Sequence, residues 1–299
     1  MRNLLKVRDF SALDTFLSKA SDMDRILSLR ENGHDVAIDS MKSRVLGTLF
    51  LEPSTRTQMS FESAMARMDG KVVRIADNNS SLKGESLSDT IQTMSQYVDA
   101  MVVRTTSYIE KWGDPKKWDC PVINGGDGDA EHPTQALTDI YTIYKRLGEY
   151  SGLNIAIIGD LEKGRTVHSL VNILRYFDAQ FFLYGNDLPD TYGRYANTVV
   201  LESEDDLFDV LPEIDVLYLT RTQFERGGSA PLFQLSEGHM EILPHDSLVM
   251  HPMPRTSELN PKFDDDPRCI YFEQSKNGVP VRMAILDWIF EDDKLYIIA

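Results

Sequence analysis

Short, nearly unbroken apolar runs recur along the chain. They are Val45 to Leu51, Val72 to Ala76, Ala100 to Val103 and Pro121 to Asn124, then Leu153 to Ile158, Phe181 to Tyr184, Val216 to Leu219 and Leu248 to Met250. A strand with one wet face alternates polar and apolar residues, so a run that is apolar throughout has to be covered on both faces. Between the runs, apolar residues fall at helical spacing: Phe61, Ala64, Met65 and Met68; Leu87, Ile91, Met94 and Val98; Leu137, Ile140, Tyr141 and Tyr144. Strand and helix patterns that alternate in this way build βαβ units and parallel sheets. A length of 299 residues suggests about two domains. The glycine-flanked segment Gly148 to Gly152 marks the expected join. The expected fold is therefore α/β, with two doubly wound parallel-sheet domains, residues 1–147 and 148–299, and an active site in the cleft between them. The closing segment reads as a helix over Val281 to Phe290, with Ile285, Trp288 and Ile289 apolar.

A net charge of −16 disfavours nucleic acid and anionic membrane surfaces as partners. An acidic protein that binds anions must gather its arginines and lysines locally. Cys120 and Cys269 are far apart and in no Cys-x-x-Cys pair, so neither a disulfide framework nor a metal cluster is expected, and a reducing, cytoplasmic setting fits. Met1 to Asp9 has no apolar signal core, and no run is long enough to span a bilayer. The acidic stretches Glu202 to Asp206 and Asp264 to Asp266 read as solvated faces.

The most informative stretch is Phe50-Leu51-Glu52-Pro53-Ser54-Thr55-Arg56-Thr57-Gln58-Met59-Ser60-Phe61-Glu62. Pro53 stops a strand, and Ser54 and Thr55 are good residues with which to begin a helix. A helix start offers unpaired N–H groups and the positive end of the dipole, which favour anions. Arg56 adds a planar, permanently charged fork matched to phosphate oxygens. This turn reads as a phosphate cradle. Five further polar groups also follow strand ends: Arg104, the loop leading to His132, the Gly159-to-Arg165 turn, Arg221, and His251 to Pro254. Ligands of open parallel sheets bind beyond the carboxyl ends of the strands. The Gly159 turn lacks the Gly-x-Gly-x-x-Gly spacing of a dinucleotide site. Arg165 and Arg221 together suit a dicarboxylate, each carboxylate taking one guanidinium.

Ser54-Thr55-Arg56-Thr57 with Ser60-Phe61-Glu62 resembles the signature of the aspartate and ornithine carbamoyltransferases, and the likeness runs over nearly the whole chain. His132-Pro133-Thr134-Gln135 matches the family's His-Pro-x-Gln. His251-Pro252-Met253-Pro254-Arg255 matches its His-Pro-Leu-Pro-Arg, with Met in place of Leu. Ornithine enzymes carry a Cys in this segment, and its absence here points to the aspartate branch. Gln58, where many relatives have Arg, is a second departure, read as a changed helix surface or subunit contact.

The resemblance implies transfer of the carbamoyl group of carbamoyl phosphate to the α-amine of L-aspartate, a pyrimidine-pathway step, with ornithine as the alternative acceptor. It implies that Ser54, Thr55, Arg56, Thr57 and Arg104 hold the phosphate. Thr57, Arg104 and His132 face the carbonyl oxygen, and Gln135 takes the carbamoyl amino group. Arg56, Thr57, Arg104 and His132 form the catalytic set. Arg165, Arg221, Gln223 and the main chain of Met253 and Pro254 contact aspartate, and Glu225 and Arg226 orient Arg221 and the following loop. Lys83, with Ser80 or Ser81, enters the neighbouring subunit's site, so a homotrimer is expected. A cis Met253–Pro254 bond, a closing helix at about 283–299 that packs back on the first domain, and no cofactor or metal complete the implications. A regulatory chain is left open.

Overall fold

The computed structural model describes residues 2–9, 12–75, 84–186, 197–222 and 233–291. Ser80, Ser81, Lys83, Gln223, Glu225 and Arg226 lie outside these described residues. The chain forms two compact units, Met1–Leu137 with Asn277–Ala299, and Thr138–Lys276.

The first unit holds a four-stranded parallel sheet of β1 (Val45–Phe50), β2 (Lys71–Ile75), β3 (Ala100–Thr105) and β4 (Val122–Asp127), in the order β2-β1-β3-β4. The apolar runs at β1, β3 and β4 become buried strands, whereas β2, at the sheet edge, has no buried residue. Leu49, Met101, Val103 and Val122 pack with Ile91, Trp112, Trp118 and Cys120 into one core cluster, each large side chain contributing about 1.5–3 kcal/mol on burial. Helices α1 (Leu13–Glu31), α2 (Thr55–Arg67) and α3 (Leu87–Met94) belong to this unit. At one edge, β2 exposes Lys71 and Arg74, charges of the kind that blunt an open sheet edge. Beside β4, Leu4 accepts from the Asn124 amide (2.8 Å) and donates to the Val122 carbonyl (3.1 Å).

The second unit holds a five-stranded parallel sheet of β5 (Asn154–Asp160), β6 (Gln180–Asn186), β7 (Thr198–Val200), β8 (Val216–Leu219) and β9 (Leu248–Met250), in the order β7-β6-β5-β8-β9. Here Ala156, Ile158, Leu217, Leu219 and Val249 share a core with Leu207, Leu211, Leu259 and Tyr271. Helices α5 (Arg165–Leu174), α6 (Glu204–Val210) and α7 (Glu237–Ile242) lie in it. Two further helices, α4 (Pro133–Leu147) and α8 (Tyr271–Ile289), each contribute residues to both units.

Three local readings change. The closing helix begins at Tyr271, ten residues before the expected Val281, and its described part ends at Ile289. Pro280 lies within it and removes one helical hydrogen bond. Burial of Val281, Met283, Ala284, Ile285 and Leu286 outweighs that loss. Strand β4 continues past Asn124, where the apolar run ends, to Asp127. The run Asp264 to Asp266 is solvated only in part: Asp265 is exposed, Asp264 pairs with Arg255, and Asp266 takes Arg268 at 2.7 and 2.9 Å.

Candidate active site

In each sheet the strand order reverses once, between β1 and β3 in the first unit and between β5 and β8 in the second. At such a switch point the connections leave to opposite sides and open a crevice at the carboxyl ends. The sequence-selected residues gather at these two places.

In the first unit the end of β1 runs into α2. Ser54 occupies the N-cap position, and its side chain makes no capping hydrogen bond. A helix start of this kind presents its positive end to an anion. Thr55 and Arg56 are exposed on this turn, while Thr57 is buried. Leu51 N–H donates to the Arg104 carbonyl at 2.8 Å, locking the ends of β1 and β3 together. The Arg104 guanidinium donates to the Gly125 carbonyl at 3.2 Å and pairs with Glu52 at 3.4 Å. His132, buried at the start of α4, lies with Nε2 3.3 Å from Thr57 Oγ1 and Nδ1 3.3 Å from Thr134 Oγ1. Gln135 stands in the first turn of the same helix, its amide donating to the His132 carbonyl at 2.9 Å. The fold thus joins Ser54 to Thr57, Arg104 and His132 through neighbouring strand ends.

A buried polar turn carries the chain from β4 toward His132. Asn124 Nδ2 donates to Asp127 Oδ1 at 2.8 Å, and Asn124 Oδ1 accepts from the Gly126 amide at 2.7 Å. Asp127 also accepts from the amides of Ile109 (3.1 Å) and Glu131 (3.2 Å). Burial pushes the Asp127 carboxyl up, against the pull of these donors, and burial likewise raises that of Glu131, which accepts from the Val7 amide at 2.9 Å.

In the second unit three neighbouring strands, β5, β8 and β9, end at the turn before Arg165, at Arg221 and at His251. Arg165 opens α5 and is buried. Its turn is tied by Lys163 N–H to Asp160 Oδ1 at 3.0 Å. Arg221 donates to the Thr222 carbonyl at 3.0 Å. Beyond β9, the Met253–Pro254 peptide is cis, as expected, and Met253 has φ 55°. His251 Nδ1 accepts from the Met253 amide at 2.9 Å, and its Nε2 meets Glu258 Oε1 at 3.0 Å. Arg255 is gripped by Asp264 and donates to Tyr271 Oη at 3.1 Å.

Two family profiles match the chain. One, described as the aspartate/ornithine carbamoyltransferase carbamoyl-P binding domain, covers residues 2–145; the other, the Asp/Orn binding domain, covers residues 151–289. The chain belongs to the aspartate/ornithine carbamoyltransferase family. Within that family, the aspartate carbamoyltransferase catalytic subunit of Methanopyrus kandleri is 39% identical over 305 residues, covering 96% of this chain and 97% of its own. The Methanococcus vannielii catalytic subunit is 41% identical, with coverages of 98% and 99%. Among solved structures, the catalytic subunit of M. jannaschii aspartate transcarbamoylase superposes with a TM-score of 0.86 at 35% identity, covering 99% of this chain and 100% of that one. The Trypanosoma cruzi aspartate transcarbamoylase in complex with carbamoyl phosphate and aspartate gives 0.84 at 34% identity, each chain covered to 95%.

For this carbamoyltransferase chain, sequence reasoning missed the groups that support the motif residues: Glu52, Asn124, Asp127 and Glu258. Glu52 stands inside the motif string, where its acidic character beside so many anion-binding groups was the available signal. Glu258 follows His251 by seven residues across a stretch that is in no helix or strand. Gln58, on α2, donates to Glu62 Oε1 at 3.0 Å.

Proposed function

We propose that the chain is an aspartate carbamoyltransferase, joining carbamoyl phosphate and L-aspartate to give N-carbamoyl-L-aspartate and phosphate in pyrimidine biosynthesis. The observation that carries this reading is the meeting of an uncapped helix start, Arg104 and the Thr57–His132 pair at one strand-order reversal. That arrangement suits a phosphate with a carbonyl next to it. Relatives of the same length bear the aspartate carbamoyltransferase name, and a T. cruzi relative is solved with both substrates.

In this reading Ser54, Thr55, Arg56 and Thr57 bind the phosphate with the first amides of α2, and Arg104 bridges phosphate and carbonyl. Thr57, Arg104 and His132 direct donors at the carbonyl oxygen, which gains negative charge as the amine attacks. Fixed donors of this kind lower the barrier because they need no reorientation. Gln135 takes the carbamoyl amino group. Arg165, Arg221 and Gln223 hold the two carboxylates, while the carbonyls of Met253 and Pro254 receive the amine. The C–N bond forms as the C–O bond to phosphate breaks, and the departing phosphate accepts the amine proton. Holding two anions in attack geometry supplies the remainder of the rate. Lys83, with Ser80 or Ser81, completes the site from a neighbouring copy, which makes the working assembly a homotrimer in the cytoplasm.

Product formation from carbamoyl phosphate and aspartate, with ornithine assayed in parallel, tests the reading. Turnover with aspartate alone supports it; turnover with ornithine alone overturns the choice of acceptor.

A further inference from the structure

His251 and Glu258 are both buried, at 1% and 2% exposure, and the reaction described above uses neither. We propose that Glu258 is a positioning residue for the amine substrate, fixing the tautomer of His251 so that His251 holds the Met253–Pro254 turn through the Met253 amide. The proposal rests on the reading that the carbonyls of this turn meet aspartate.

The hydrogen bonds leave one consistent proton arrangement. The Met253 amide can only donate, so Nδ1 of His251 carries no proton and accepts (2.9 Å). The imidazole proton is therefore on Nε2, where it donates to Glu258 Oε1 (3.0 Å). Glu258 also accepts from the Thr256 amide at 2.7 Å and from the Thr256 hydroxyl. Three donors, one before the turn and two after it, thus converge on one carboxylate. A buried carboxylate is costly to desolvate and is retained only where its donors compensate. The second ring nitrogen's partner sets which nitrogen accepts, so removing Glu258 frees the ring to adopt the tautomer that meets Met253 N–H with another N–H.

The turn is anchored beyond the dyad as well. His251 N–H donates to Gln274 Oε1 (2.9 Å), and Gln274 Nε2 donates to Asp139 Oδ1 (2.7 Å). The other oxygen of Asp139 accepts from Tyr218 Oη (2.8 Å), on β8, the strand that leads to Arg221. One buried chain of hydrogen bonds therefore links the turn to the arginine-bearing strand. The charged groups acting on His251 are Glu258, which favours its protonated form, and Arg221 and Arg255, which oppose it. Arg255 is itself held by Asp264 and Tyr271. Burial, the largest influence, keeps the imidazole neutral, its pKa below the ordinary histidine value. Protonation at Nδ1 would expel the Met253 amide.

Steady-state kinetics of the full chain in its native assembly test the proposal, with each substrate varied in turn. Glu258→Ala is expected to raise the aspartate KM about tenfold or more while the carbamoyl phosphate KM stays within about twofold. Glu258→Gln keeps an acceptor for Nε2–H and should stay within about threefold of wild type. Its acid limb in kcat/KM for aspartate should move to lower pH by about half a unit or more, because losing the carboxylate makes the imidazolium harder to form. An unchanged aspartate KM in Glu258→Ala, or an equal rise in both KM values, overturns the proposal. If Glu258→Ala does not fold, Glu258→Gln decides, and an unmoved acid limb overturns it. Failure of the wild-type chain to turn over aspartate would be seen before any variant is made, and would reject the functional reading along with this role.

Discussion

The two units place their motif residues at equivalent points, the reversal of strand order, and support them in opposite ways. Under the first unit's site the supporting carboxyls, Asp127 and Glu131, meet mainly neutral donors, and burial pushes both of them up. Under the second unit's site burial works in the same direction on Glu258, yet the hydrogen bonds from His251 and Thr256 outweigh it and hold that carboxyl down at about 2. The Arg255 hydrogen bond does the same for Asp264, also to about 2. The difference shows that one crevice architecture accepts two electrostatic foundations.

Substitutions can break this contrast. The largest effect is expected for Arg56→Ala, which should lower kcat/KM for carbamoyl phosphate by about a thousandfold or more, since a charge-assisted fork to phosphate is lost. A residual loss of under about tenfold would remove the cradle from the first unit. Next, Arg165→Ala and Arg221→Ala should each raise the aspartate KM by roughly 10- to 100-fold, with carbamoyl phosphate affinity by calorimetry nearly unchanged. Equal damage to both substrates would mean that the units do not divide the ligands as proposed.

Acid titration sharpens the comparison further. Asp127 and Glu131 have raised values in the folded chain, so their contribution to stability is complete below the ordinary carboxylate pKa and is lost as pH rises through the folded value. Glu258 and Asp264 have lowered values, so theirs is present above the ordinary value and lost as pH falls toward about 2. Amide exchange, corrected for intrinsic rate, should therefore show protection at residues 255–258 falling by about tenfold or more between pH 5 and pH 3. Protection at residues 124–131 should hold or rise over the same interval. Parallel loss in both segments would refute the opposite foundations. The smallest effect is expected for Gln58→Ala: its part-buried bond to Glu62 should be worth about 0.5 kcal/mol or less in thermal unfolding, with no change in either KM.

The strands and the motif residues that follow them were legible because each leaves a local trace. A doubly covered strand has to be apolar along its length, and a phosphate turn needs its hydroxyls and arginine within a few positions. Thus β1, β3, β5 and β8 and the motifs after them could be read directly. The supports left no such trace. Asp127 looks like an ordinary loop acid, and its burial depends on Asn124, Ile109 and Glu131 folding around it. Asp264 and Asp266 sit in an acidic run that composition assigns to solvent, but each finds an arginine once the chain turns back. The early start of α8 was hidden by Gly278 and Pro280, whose local preferences yield to the burial of the residues after them. Edge strand β7 is three residues long and partly exposed, too short for any periodicity.

The backbone near Gly159 has one more consequence. Gly159 has φ 126°, and a Cβ there would run into the carbonyl of Thr220, just past the end of β8 and one residue before Arg221. The separation between the strand ends that lead to Arg165 and Arg221 is thus written into main-chain contact and does not depend on the arginines themselves. A library selected for longer or bulkier acceptors should keep glycine at this position in every survivor and make its room by shortening or repositioning the guanidinium-bearing side chains. The site's reach would then evolve in steps of whole side chains, against a ruler that does not stretch.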